Sequence, residues 1–290
     1  MTRAGDFDAY AVTTRHGPHV TMQAGVVQNG RYWTTATRHS VKSRSVGRNR
    51  HASATVNEDG LWRVVAGEAS VLDGLHPTSL AREPVASALA GGAVLRLGLD
   101  RLDQLLGYAE VGTAVPLSFL PTGRVLLVTD IEDELVLDGD DAVSASGRWA
   151  SGQPARLLPT GAPEPHDRPD AALADVPDEI VALAAEPGPA WLGVATHGGP
   201  IALPAEWEPA TGRLQLGRSA LEMVGAELPG SVCVTVDNSG SRRPDEKLGV
   251  MLRGAGTLVD MDGTAASVAI AVQRVTYWCG FASATPNEAA

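Results

Sequence analysis

Cysteine is scarce in this 290-residue chain: Cys233 and Cys279 are the only two, each in an apolar context. Two thiols exclude a disulfide-stapled scaffold and make a reducing compartment, the cytoplasm, the default expectation. No apolar run approaches the length of a membrane-spanning helix, and the start, MTRAGDFDAY, has no apolar stretch of the secretory kind. A formal net charge of −11 argues against general nucleic-acid binding and leaves small molecules as the expected partners. No GxSxG elbow occurs, so a Ser-His-Asp nucleophile has no support. His16 and His19 have ligand-like spacing, but Gly17-Pro18 makes the segment a turn with no Cys, Asp or Glu nearby in sequence, so no metal is expected. Lysine is nearly missing, with only Lys42 and Lys247 among 23 basic residues.

Acid is missing from one place in particular. Residues 9–57 contain no Asp or Glu, yet hold Arg15, Arg31, Arg38, Lys42, Arg44, Arg48 and Arg50. A basic island in an acidic chain suggests a bound anion. Thr34, Thr35, Arg38, Ser40 and Lys42 interleave hydroxyls with cations, and a helix starting near Ser40 would add backbone N–H groups and its dipole, the chemistry of a phosphate cradle. Lys42 would serve as a compact point charge. A solvated basic helix face is the alternative.

The length suits two domains. Residues 9–14, 19–28 and 31–36 are β-branched and aromatic, and Asn29-Gly30 predicts a hairpin. A short helix is predicted over 40–49 with Ser40 as its cap, and a second hairpin joins 52–57 to 61–73. Apolar spacing over 77–110 predicts two helices broken near Gly91-Gly92, before a strand at 123–131. Residues 138–175 show no period and many prolines, among them Pro154, Pro159, Pro163, Pro165 and Pro169, and read as a linker without regular structure. A helix over 177–186 follows.

What comes next repeats the first half. An offset of 182 places Val12 on Val194, Thr14 on Thr196, Gly17 on Gly199 and Pro18 on Pro200. An offset of 180 places Arg38 on Arg218 and Thr55 on Thr235, and after an insertion at the loop 238–247 an offset of 187 places Gly67 on Gly254. Ordered matches with small gaps indicate tandem duplication. The domains are then 8–137, with a helical insert at 77–110, and 176–285, around the linker 138–175. Short antiparallel strands close best into barrels, so the expected fold is mainly β: two split β-barrels in tandem, packed as an internal pseudo-dimer. The copies differ where it matters, because Ser40 becomes Ala220 and Lys42 becomes Glu222. Opposite a phosphate this turns attraction into repulsion, so one competent site is expected. Placing Val128–Ile131 on Val272–Val275 sets Glu134 opposite Trp278, giving the second copy an aromatic the first lacks.

The motifs GPHVTMQAGVVQNGRYWTTATRHSVKSRSVGRN, ASATV and VVAGEASVLDG resemble the pyridoxamine-5′-phosphate-oxidase-like split β-barrels. So do GGPIALPAEW, LRGAGTLVD and VQRVTYWCGF in the second copy. The resemblance implies FMN, or alternatively the deazaflavin F420, at the junction of the two barrels. Carried over, Thr34, Thr35, Arg38, Ser40 and Lys42 match the phosphate cradle, with Arg44 close by. His19 and Gln23 would run beside the ring, and Arg274 and Trp278 would close the other wall, with Trp207 a further aromatic. The arginine that opens strand two in the name-giving oxidase is replaced by His19, which speaks against pyridoxamine phosphate as substrate. The implied activity is hydride transfer through flavin N5, with no residue singled out as acid or base. For F420, Arg44, Arg48 and Arg50 would meet the acidic tail, while a third reading is a haem- or cofactor-binding module without turnover. The loop Asn238–Lys247 reads as a hairpin tip that could also hold a second phosphate.

Overall fold

In the first strand, β1 (Asp8–Thr14), side chains alternate between two destinations. Tyr10 and Val12 enter a core with Tyr32, Val65 and Leu127, whereas Ala9 and Ala11 join Val20, Trp191, Ala202 and Met251. The two-residue period thus gives one face to a barrel interior and the other, built of small residues, to the junction with the second half. The computed structural model describes residues 7–151, 154–160, 173, 175–238, 241 and 243–286.

The N-terminal sheet runs β2 (Gly17–Gln23), β1, β5 (His51–Glu58), β6 (Leu61–Leu72), β7 (Arg124–Asp138), β4 (Arg31–Thr37), β3 (Gly25–Gln28), with antiparallel neighbours. The predicted strand 19–28 is interrupted at Ala24, whose carbonyl accepts the Thr34 hydroxyl at 2.6 Å. Because β2 bonds β1 and β3 bonds β4, this broken strand closes the sheet on itself. The C-terminal sheet repeats the order: β11 (Arg213–Gly217), β10 (Gly199–Glu208), β9 (Gly188–Thr196), β12 (Gly230–Asp237), β13 (Leu248–Asp262), β14 (Ala265–Cys279), β15 (Ala282–Ala284). Pairing of β11 with β14 closes it. The protein is therefore mainly β, two barrels in tandem.

Backbone pairing carries the duplication. Val12 pairs with Ala52 and Ala52 with Gly67; Val194 pairs with Val232 and Val232 with Gly254. A bulge falls at Ala66/Gly67 and again at Arg253/Gly254. Glycine is required there, since a Cβ on either would lie within 2 Å of a carbonyl oxygen, that of Asp130 or Ala271. The bulges also correct the last-strand alignment. Gly67 pairs with Ile131 and Gly254 with Val272, so Trp278 corresponds to Leu137 and not to Glu134. Extra residues in a bulge leave no trace in the hydrophobic pattern.

Reciprocal contacts mark the pseudo-twofold axis. Thr55 Oγ1 donates to the Ala202 carbonyl at 2.6 Å, and its equivalent Thr235 Oγ1 donates to the Val20 carbonyl at 2.9 Å. Gly17 packs on Ser231 just as Gly199 packs on His51.

Three helices are inserted in the first repeat: α2 (Pro77–Arg82), α3 (Pro84–Asp100) and α4 (Leu102–Val111). The break predicted at Gly91-Gly92 does not occur. Pro84 starts α3, which continues through both glycines and ends at Arg101, where φ is −126°. Ala86 and Ala93 seat it on Val26, Trp33, Leu72 and Val128. The segment expected to be irregular contains a strand, β8 (Asp141–Ser146), paired with β7, and a short helix, Arg148–Ser151. That strand lies mostly exposed at an edge, so it needs no apolar alternation to form. Pro163, Pro165 and Pro169 lie outside the described residues.

Replacing Thr55 or Thr235 by Val keeps shape and removes one buried hydrogen bond. Each change should lower unfolding stability by about 1 kcal/mol, read by urea denaturation. Wild-type stability in both variants would show that these bonds do not hold the halves together.

Candidate functional site

The strand–helix junction engages most of its polar side chains locally. Thr34 is buried against Ala24, and Thr35 Oγ1 accepts from Arg124 Nη2 at 2.6 Å. Arg38 pairs with Asp73 at 3.0 Å and donates to the Thr122 carbonyl. Ser40 caps the helix α1 (Val41–Val46), accepting from the Ser43 N–H at 3.2 Å. Arg44 and Arg48 are exposed, while Arg50 meets Ser70 and Glu83 at 2.8 Å. The expected cradle of Thr34, Thr35, Arg38 and Ser40 is thus not assembled, because carbonyls, a helix N-terminus and a carboxylate within reach take these groups first.

Lys42 behaves differently. From the first turn of α1 its Nζ reaches β2 and donates to Gln23 Oε1 at 2.7 Å. His19 and Gln23, four residues apart, share one face of that strand. His19 Nδ1 meets the guanidinium of Arg253 on β13, and Arg253 is in register with Arg274 on β14. His19, Gln23 and Lys42 of the first barrel therefore come together with Arg253 and Arg274 of the second.

The electrostatics of this cluster are one-sided. Burial, then the nearby Arg124 guanidinium, pushes the Lys42 ammonium down to about 7, although the residue keeps some exposed surface. Burial, then Arg253 and Lys42, holds His19 well below the usual imidazole range. Among the described residues no carboxylate offsets either group. Gln23 Nε2 is enclosed without a hydrogen-bond partner among the described residues. A buried cation beside an unsatisfied donor is a place where an anion with several acceptor oxygens gains most. Sequence reading missed Arg253 and Arg124. Arg253 had a signal: it stands inside the apolar strand GVMLRGAG and is only 6% exposed.

Trp278 lies over Gly249, where a Cβ would come within 2.1 Å of the indole. It lines a cavity of about 40 Å³ with Phe7, Met22, Asn238 and Lys247. Lys247 Nζ sits 3.6 Å over the Phe7 ring, and burial lowers it to about 8. Trp207 is no wall of this region: its Nε1 donates to the Ala184 carbonyl inside the second barrel's core. In the loop 238–247, Arg243 pairs with Asp245 at 2.7 Å, while Ser239, Gly240 and Arg242 lie outside the described residues.

The pseudo-equivalent region has been converted into core. By strand register and repeat offset, His19, Gln23, Arg253 and Trp278 are replaced by Ile201, Ala205, Ala66 and Leu137, all in one apolar cluster. Trp149 and Leu157 from the segment joining the barrels belong to the same cluster. The two acidic replacements are both paired. Glu222, in place of Lys42, meets Arg218 at 2.9 Å, and Asp133, in place of Arg274, accepts from the Arg148 N–H and Nε at 2.6 and 2.8 Å.

The insert bounds the surviving region. Arg101, at the start of α4, lies 3.6 Å from the buried Asp8, whose carboxyl is raised to about 7, chiefly by burial. Tyr108 and Phe119 approach Phe281, with ring centroids 6.4 and 4.9 Å apart, so the cover reaches from the first barrel to the second. A larger cavity, about 290 Å³, lies on the pseudo-twofold axis between Pro18, His51, Pro200 and Ser231, and none of the expected site residues lines it. The donors around Lys42 suit a phosphate end. The space beside Trp278 is too small for a flavin ring unless the cover shifts.

Fold and site define a tandem split-barrel protein with one polar, basic interfacial region. No protein-family model matches the chain, and no curated protein sequence matches it. Solved structures similar to it are pyridoxamine-5′-phosphate-oxidase-like, FMN-binding and F420-reductase proteins, each over about half of the chain. General stress protein 26 from Bacillus anthracis is 13% identical over 47% of this chain and 88% of its own, with a TM-score of 0.30. A pyridoxamine 5′-phosphate oxidase-related, FMN-binding protein from Nostoc punctiforme is 14% identical over 46% and 73%, with a TM-score of 0.29. An F420 reductase is 17% identical over 44% and 87%, also at 0.29.

In the ligand-free protein Lys42 is charged in the unfolded chain up to about pH 10.5, but in the folded state only up to about 7. The unfolded state binds the extra proton between these values, so the Lys42 contribution to stability improves as pH rises from 7 to 10.5. Lys42→Met should therefore stabilise the protein by on the order of 2 kcal/mol at pH 6, a gain that fades toward pH 10. A pH-independent difference in denaturation midpoint would mean that Lys42 is not desolvated.

Proposed function

We propose that this protein binds one phosphate-bearing flavin-type cofactor per chain, FMN by preference, at the junction of its barrels, and acts as an oxidoreductase. The observation that carries the reading is the buried Lys42 ammonium, which rests on a neutral amide with no carboxylate among the described residues to offset it. The ligand class comes from the resemblance of the repeated motif, and the charge arrangement supports its phosphate end. Lys42 and Arg253 would hold the phosphate from opposite barrels, Gln23 would donate its unpartnered N–H, and Trp278 would wall the ring. When bound, the cofactor supplies hydride transfer at N5. The chain's own part is orientation and, through the cover made by α4 and Phe119, exclusion of water. The acidic replacements Glu222 and Asp133, already paired, argue for one site and not two.

Flavin fluorescence titration tests this. Wild type should bind FMN more tightly than riboflavin, which lacks the phosphate. Lys42→Glu should weaken FMN binding ten- to a hundredfold, about 1.5–3 kcal/mol, while Glu222→Lys leaves it unchanged. Binding requires protonated Lys42, so affinity should fall by up to about tenfold per pH unit above 7. Equal affinity for wild type and Lys42→Glu would defeat the reading, and F420 binding in place of FMN would redirect it.

A further inference from the structure

Helix α3 carries apolar residues on its outer as well as its inner face, with Arg96 and Asp100 its charged residues. Its inner face packs on the first barrel through Ala86, Leu89, Ala93 and Leu97. Its outer face, continued by α4, presents Val94, Leu95, Leu99, Leu102, Leu105 and Leu106, each between 51% and 65% exposed. Monomers seldom leave so many aliphatic side chains together in water.

We propose that this face is the contact between two copies of the chain, which associate as a twofold dimer through their inserts. Size favours it: these six side chains expose on the order of 600 Å² of apolar surface. That matches the apolar part of the roughly 800 Å² one partner gives to a standard interface. Charge favours it as well. Arg96 and Asp100 form an i,i+4 pair at 3.0 Å on the same helix, so the rim carries both signs and suits a self-complementary contact. A lipid surface fits poorly, because the insert 77–123 contains no lysine and no tryptophan and the chain is formally −11. The barrels already satisfy each other across the pseudo-twofold junction, which leaves the insert, with no counterpart in the second half, as the element that would join copies.

Light scattering on the eluting protein tests this. Wild type should run as two chains, twice the 30.1 kDa of one. The double variant Leu99→Glu/Leu106→Glu should run as one, with unchanged far-UV circular dichroism, since both side chains are exposed. Leu99→Cys should give a dimer-sized product on mild oxidation, and neither Cys233→Ser nor Cys279→Ser alone should give one. A monomeric wild type at high micromolar concentration, or a dimer that survives the double substitution, would overturn the proposal. So would wild-type monomer that co-sediments with phosphatidylserine vesicles, which would give the face to lipid.

Discussion

Two threonine hydroxyls, Thr55 on the Ala202 carbonyl and Thr235 on the Val20 carbonyl, tie the barrels to each other at equivalent points. Both threonines are completely buried, so neither bond competes with water. Around them the junction is built from small or flat surfaces: Ala9 and Ala11 from one side, Ala202 and Gly193 from the other. Larger residues would hold the strands apart and leave the hydroxyls unsatisfied. The candidate site depends on this close approach, since the contact of His19 with Arg253 spans the same junction.

Pseudo-symmetry makes the asymmetry readable. Two interfacial regions would be equal in a symmetric dimer of single barrels. Here one has kept a histidine, a glutamine, a lysine and two arginines, and the other has exchanged them for Ile201, Ala205, Glu222, Ala66 and Asp133. The segment between the barrels then filled the apolar one with Trp149 and Leu157. Burying these two large side chains replaces a cavity with core, which stabilises the fused chain and closes that region to ligands. Arg148 neutralises Asp133, which is 1% exposed and would otherwise be an uncompensated buried charge.

Legibility varied with the kind of interaction. Repeat offsets were visible because turn glycines and strand alternation are local features that duplication preserves, and strand register later matched them residue by residue. The break predicted at Gly91-Gly92 failed because packing of α3 on Trp33 and Val128 outweighs the modest cost of two helical glycines. The joining segment looked irregular because an exposed edge strand has no buried face to pattern. Lys42, expected in the cradle, lies beside His19 and Gln23, expected along the ring, whereas Arg38 and Ser40 take local partners. Spacing places a side chain near a junction, but which of several partners it takes depends on distances that spacing does not contain.

By itself the sequence determined the strand pattern, the duplication, the acid-free basic island and the loss of Ser40 and Lys42 chemistry in the second copy, because each is written in periodicity, order or composition. Tertiary structure alone decided that Arg253 and Arg124 join Lys42, that Trp278 answers to Leu137, and that the second region is filled by Trp149. Those outcomes rest on bulges, on strand closure and on contacts between residues far apart in the chain, and a linear pattern carries no information about which distant side chain arrives first.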